Sequence, residues 1–143
     1  MSLPDTNSII RSYLVADEGI IAFFAPDAPR IYCPRLPEGA DLPAIGFFTR
    51  GGSASPYIPD IPTPSVQFDC WARDEEIGSV MVAGSIRARE LYRKLYDALQ
   101  GIQMVAVGAN MIKSAREEVQ GVDMVDEIPN YFRVLSFFEV KIS

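Results

Sequence analysis

Between Ser65 and Trp71, Val66, Phe68 and Cys70 alternate with Gln67, Asp69 and Trp71, the period-two pattern of a half-buried strand. Directly afterwards the period changes. Ile77, Val80, Met81, Gly84, Ala88, Leu91, Leu95, Ala98 and Leu99 return at three- and four-residue steps. The pattern predicts one amphipathic helix of about seven turns, opened by Asp74 as N-cap and closed by Gly101. Arg87, Arg89, Arg93, Lys94 and Asp97 fall off the apolar stripe. Strand, turn and helix make a helix-on-sheet unit that needs no catalytic group to explain it.

Other runs extend this plan. Asp5 is placed to cap a short helix carrying Ile9, Ile10, Tyr13 and Leu14, which Asp17-Glu18-Gly19 interrupts. Ile20, Ile21, Phe23 and Phe24 then form one or two inward-packed turns, ended by Pro26 and Pro29. Arg30 to Cys33 and Ala44 to Arg50 read as strands separated by turn chemistry. Residues 51–62, rich in glycine and proline, read as a flexible arm, yet Tyr57, Ile58 and Ile61 are too apolar for a solvent loop. Ile102 to Val107 is a brief strand, Met111 to Glu118 an edge strand guarded by charge, and Val119 to Glu127 an acidic turn. From Tyr131 to Ile142 one side carries Phe132, Val134, Phe138, Val140 and Ile142, with Ser136 as the exception. Leu135 and Phe137 put apolar surface on the other side too, so this strand is central or covered by another chain. The expected fold is a single α+β domain over residues 1–143. It has a mostly antiparallel β-sheet, one long α-helix packed across a face and a short N-terminal helix.

Composition narrows function mainly by exclusion. With 48% hydrophobic and 22% charged residues, the 143-residue chain has the makeup of a globular protein. It has no apolar run of membrane-spanning length, and Met1 to Asp5 lacks the pattern of an export signal, so a cytoplasmic protein is expected. The absence of histidine removes Ser-His and Cys-His nucleophilic catalysis. Cys33 and Cys70 sit in apolar strand patterns and read as reduced, buried thiols. A net charge of −6 argues against a dedicated nucleic-acid binder.

Carboxylates cluster at Asp74-Glu75-Glu76, at Glu117-Glu118 and at Asp123 with Asp126-Glu127. The first group is placed to open a helix, and the last lacks the ligand spacing of a calcium loop. Gly51-Gly52-Ser53 has no following lysine or helix start, so it fails as a phosphate-binding loop. No catalytic residue, metal site or cofactor is therefore expected.

The strand Val66-Gln67-Phe68-Asp69-Cys70-Trp71-Ala72, entering a helix that ends at Leu99-Gln100-Gly101, resembles the phage tail-completion family of tail-to-head joining and tail-terminator-like proteins. Arg30-Ile31-Tyr32 leading to Leu42-Pro43-Ala44-Ile45, and the closing Tyr131-Phe132-Arg133-Val134, are similar in order and character. The resemblance spans about Ile9 to Ile142. It implies a non-enzymatic virion component, assembled in the host cytoplasm, that forms a ring, commonly a hexamer. Its partners would be other copies of itself, the tail-tube protein and the head–tail connector, with no membrane and no sequence-specific nucleic acid.

Rings need two different patches per subunit. The candidates are Tyr57, Ile58 and Ile61 on the arm, and Leu135 and Phe137 on the last strand. Two rival readings make distinct demands. A small Mg²⁺-dependent enzyme requires Asp123, Asp126 and Glu127 to converge. A ligand-binding regulatory dimer requires a closed apolar pocket near Trp71.

Overall fold

The computed structural model describes residues 3–53, 63–125 and 131–143. Its elements are α1 (Thr6–Val15), α2 (Glu18–Phe24), β1 (Ile31–Tyr32), β2 (Ala44–Ser53), β3 (Thr63–Arg73), β4 (Glu75–Ile77), β5 (Val80–Val82), α3 (Gly84–Leu99), β6 (Gln103–Val107), β7 (Asn110–Val125) and β8 (Tyr131–Ile142). Six strands form one sheet in the order β1-β2-β3-β8-β7-β6, and β4 and β5 pair separately. Only β1 and β2 run parallel. The fold is thus mixed α and β, with a mostly antiparallel sheet and three helices. Register shifts in β2 and β7 insert extra residues that bend and curl the sheet.

The helices cover one face of that sheet. Val66, Phe68, Cys70 and Ala72 of β3 are fully buried, as their alternation requires, and pair across to Phe138, Ser136, Val134 and Phe132 of β8. Phe68 stacks on Phe47 at 5.5 Å between ring centroids and meets Phe138 edge-on at 5.7 Å. Above them lie Ala88, Leu91, Leu95 and Leu99 of α3 and Ile10, Leu14, Ile20 and Phe24 of α1 and α2. Asp5 caps α1, accepting the Ser8 backbone N–H at 3.2 Å, and Asp17 caps α2 through the Ile20 N–H at 3.1 Å. Ile21, expected inward, is 42% exposed because a seven-residue helix offers only one buried side.

Further expectations are corrected. The helix begins at Gly84 and not at Asp74, so it has 16 residues and falls well short of seven turns. The preceding stretch is a hairpin in which Ile77 pairs with Val80 across Gly78-Ser79, and Gly78 holds φ at +66°. Two-residue loops of this kind favour glycine, and β-branched flanks favour strands. Ile77, Val80 and Met81 matched a helical stripe by spacing alone and are exposed.

Next, β7 is no edge strand limited to Met111–Glu118. It runs to Val125, absorbs the supposed acidic turn, and lies between β8 and β6. From Glu117 onward, side chains of α3 and of Gln100 at its C-terminal end take its outer backbone groups. Gln100 accepts the Glu117 N–H at 2.7 Å, the Tyr92 hydroxyl accepts the Gly121 N–H at 3.1 Å, and Arg89 donates to the Gly121 carbonyl at 3.1 Å. Covering a strand edge in this way blocks pairing with foreign strands. Finally, Gly51 to Ser53 belong to β2, with Gly52 opposite Pro64 and Ser53 opposite Thr63. The expected arm therefore starts as paired strand, and its remainder, residues 54–62, lies outside the described residues.

Candidate interaction surfaces

The face of the sheet turned away from the helices carries the first surface. Leu135 and Phe137 stand on it, half-buried, on the central strand β8. Cross-strand pairing sets Gln67 and Val119 on either side of Phe137, and Asp69 and Val122 on either side of Leu135. Val119 is 44% and Val122 47% exposed, so apolar side chains continue across two strands. The Arg50 guanidinium lies over the Phe137 ring, 4.4 Å from its centroid, a cation–π contact at the edge of the patch. Tyr57, Ile58 and Ile61, the other expected patch, lie outside the described residues.

At the centre of the same face is a polar pair that residue spacing did not reveal. Asp69 is buried, with Oδ1 3.6 Å from Arg133 Nη1 and with Gln67 Nε2 donating to Oδ2 at 3.3 Å. Burial pushes the Asp69 carboxyl above its ordinary range, while Arg133 and the Gln67 hydrogen bond pull it down. The Arg133 guanidinium also sits over Trp71, 5.0 Å from the ring centroid. Trp71 is therefore engaged by a cation on the helix-free face. In the sequence the pair shows only as an acidic residue on the polar side of β3 and a basic one on the outer side of β8.

The second surface is the β4–β5 hairpin. Ile77, Val80 and Met81 are 46%, 64% and 65% exposed. A groove of about 490 Å³ at its base is lined by Phe24, Arg30, Pro43, Ile77 and Arg87. Arg87 gathers the local carboxylates, binding Glu75 at 2.7 Å and Glu90 at 2.8 Å, with its guanidinium 4.2 Å from the centroid of Phe23. Another groove, of about 610 Å³, lies where the α1–α2 junction meets the β6–β7 turn, lined by Tyr13, Ala16, Asp17, Ala106 and Val107.

The carboxylates singled out for metal chemistry are dispersed in ion pairs and caps. Asp123 pairs with Arg89 at 2.7 Å, Glu117 accepts the Tyr92 hydroxyl, and Asp74 and Glu75 serve the hairpin and helix. Asp126 and Glu127 lie outside the described residues. Among the described residues no group of three or more His, Cys, Asp or Glu side chains could hold a metal ion. Burial raises the thiols of both cysteines, Cys70 more than Cys33, which disfavours the reactive thiolate. No described helix is long and apolar enough to cross a membrane. Comparison of the chain with protein-family models and with curated proteins finds no match.

Proposed function

We propose that this protein is a structural assembly component of a tailed phage or prophage that caps the tail tube and joins it to the head connector as a ring. The observation that supports this most is the pair of separate, chemically different apolar surfaces on one chain. One is the exposed hairpin tip at Ile77, Val80 and Met81, and the other is the helix-free sheet face around Leu135 and Phe137. Head-to-tail association uses two unlike patches per subunit, and it closes into a ring when the rotation between copies divides a full turn. Apolar surface is costly to leave in water unless a partner covers it.

Charge suits the same role. Each subunit carries a net −6, and around a ring that charge repels the phosphates of DNA passing through the channel. Screening confines the effect to about 10 Å at 0.1 M salt, so it acts at the channel wall. In this reading the protein is made in the host cytoplasm and resides in the neck of the virion, with no cofactor and no membrane contact.

Electron microscopy of the purified protein, alone and mixed with tails that lack it, tests the reading. Rings with a central channel seated on tail ends support it. Two-fold dimers, or tails left uncapped, overturn it. Deletion of the gene should yield unjoined heads and tails, and normal infectious particles would contradict the role.

A further inference from the structure

The hairpin is a poor element to leave alone. Two strands of three residues each are too short to sustain themselves in water. This ribbon is tied back by the Asp74 bond to the Gly84 N–H at 2.7 Å and the Glu75–Arg87 pair, while its apolar tip faces solvent. Its own free charge is negative. Glu75 is engaged by Arg87, whereas Glu76 is exposed and has no ion-pair partner among the described residues.

Around its apolar centre the helix-free face pairs Glu139 with Arg116 and holds Glu118 on the Ser65 hydroxyl, and its remaining charges are cationic. Arg50 is exposed, stacks on Phe137 and makes no ion pair among the described residues, and Lys141 is exposed on the same strand as Phe137. These two surfaces cannot meet within one chain. Gly84, where the hairpin returns into α3, packs against Arg73 and Phe132 beneath the helix layer, and the groove at the hairpin base is lined by α2 and α3 residues. Leu135 and Phe137 point away from that layer, opposite to the buried Val134, Ser136 and Phe138.

We propose that the β4–β5 hairpin of one copy docks on the helix-free sheet face of the next. Met81, which pairs with Glu76 on the side of the ribbon opposite Ile77 and Val80, covers Val119, Val122, Leu135 and Phe137 with Glu76 facing Arg50, and Ile77 and Val80 flank the inserted tip. The proposal rests on the ring reading and adds the two halves of the contact. Charge complementarity selects another copy of this chain as the occupant: acidic, apolar tip against cationic, apolar face.

The test places one thiol on each half, in a chain carrying Cys33→Ser; Cys70 is wholly buried. Met81→Cys together with Val119→Cys should give, on mild oxidation, a ladder of covalent dimers, trimers and larger species. Either substitution alone should stop at dimers or less. By sedimentation, Glu76→Arg or Arg50→Glu should raise the concentration for half-association about tenfold, with the double exchange restoring it. A missing ladder, despite both thiols reacting with a soluble reagent, overturns the proposal. So does equal association of wild-type and hairpin variants, which would leave the ring reading standing if both form rings. A wild-type chain that stays monomeric alone and on tails overturns both.

Discussion

Asp74 Oδ1 accepts the backbone N–H of Gly84 at 2.7 Å, ten residues further along the chain. The residue preceding α3, Ala83, has no side chain able to cap the helix, so Asp74 reaches across the intervening hairpin to do it. One carboxylate thus closes the hairpin and starts the helix. Asp74→Ala should destabilise the fold by about 1 kcal/mol, the usual value of an N-cap. Thermal denaturation should show Tm lowered by a few degrees, with Asp74→Asn or Asp74→Ser recovering most of the loss.

Gly84→Ala should be worse, although alanine favours helix by up to about 1 kcal/mol. A Cβ at Gly84 would lie 2.5 Å from Phe132 Cδ2 and 2.7 Å and 2.8 Å from the Arg73 backbone C and Cα. The backbone atoms cannot swing aside, so overpacking wins by about 2 kcal/mol net. Chemical denaturation should show a lower midpoint with an unchanged slope.

Tyr92 donates its hydroxyl to Glu117 and accepts the Gly121 N–H. Burial, then the bond to Glu117, pushes its phenol up to about 12. The unfolded phenol ionises near pH 10. The Tyr92 contribution is therefore complete below about pH 10 and is lost as pH rises from there toward 12. Tyr92→Phe should lose about 1 kcal/mol at neutral pH. Its deficit relative to wild type should shrink from pH 10 to 12 in denaturation measured across that window.

Asp69, like Tyr92, is neutral when protonated, and its shift has the same direction. Burial raises its carboxyl above the ordinary 3.8 against the pull of Arg133 and Gln67. Its contribution is fully present below pH 3.8 and declines as pH rises through the higher folded value. Asp69→Asn should gain on wild type between pH 4 and pH 7. A stability difference that is flat over that range, or moves the other way, would show that the Arg133 pairing dominates.

Ser136 is the polar residue in the apolar face of β8, fully buried opposite Phe68, and its hydroxyl has no hydrogen-bond partner among the described residues. Desolvating an unbonded hydroxyl costs about 1–3 kcal/mol by mutational measures. Ser136→Ala removes that cost for a void of one oxygen atom. The variant should be at least as stable as wild type, by up to about 1 kcal/mol in chemical denaturation.

Much of the fold was legible. The period-two runs of β3 and β8 and the inward stripe of α3 from Ala88 to Leu99 follow burial, except that Asp69 and Tyr92 are buried as well and Phe132 is half-buried. The misreadings share a cause. The spacing of Ile77, Val80 and Met81 continued the helical stripe, while Gly78-Ser79 between β-branched residues carried the competing hairpin signal. At β7, Gly121 with Asp123, Asp126 and Glu127 reads as an acidic turn, whereas β8 holds Gln120 and Gly121 as a bulge and Tyr92 packs where a Gly121 side chain would go. Of the candidate interface, Leu135 and Phe137 were legible from alternation. The hairpin tip was hidden because its apolar residues had been assigned to the core.

The sequence by itself determined what short-range periodicity and local chemistry encode: which residues of β3, β8 and α3 face inward, where Asp5 starts α1, and that no histidine chemistry is open to this chain. Tertiary structure decided where α3 begins, that β7 runs on to Val125 with its outer edge bonded by Arg89, Tyr92 and Gln100, and which apolar residues are left uncovered. Those outcomes depend on partners distant in sequence: Asp74 with Gly84, β7 with β8, and the helices choosing one face of the sheet. A period in the chain specifies a face, but only long-range packing determines what covers it.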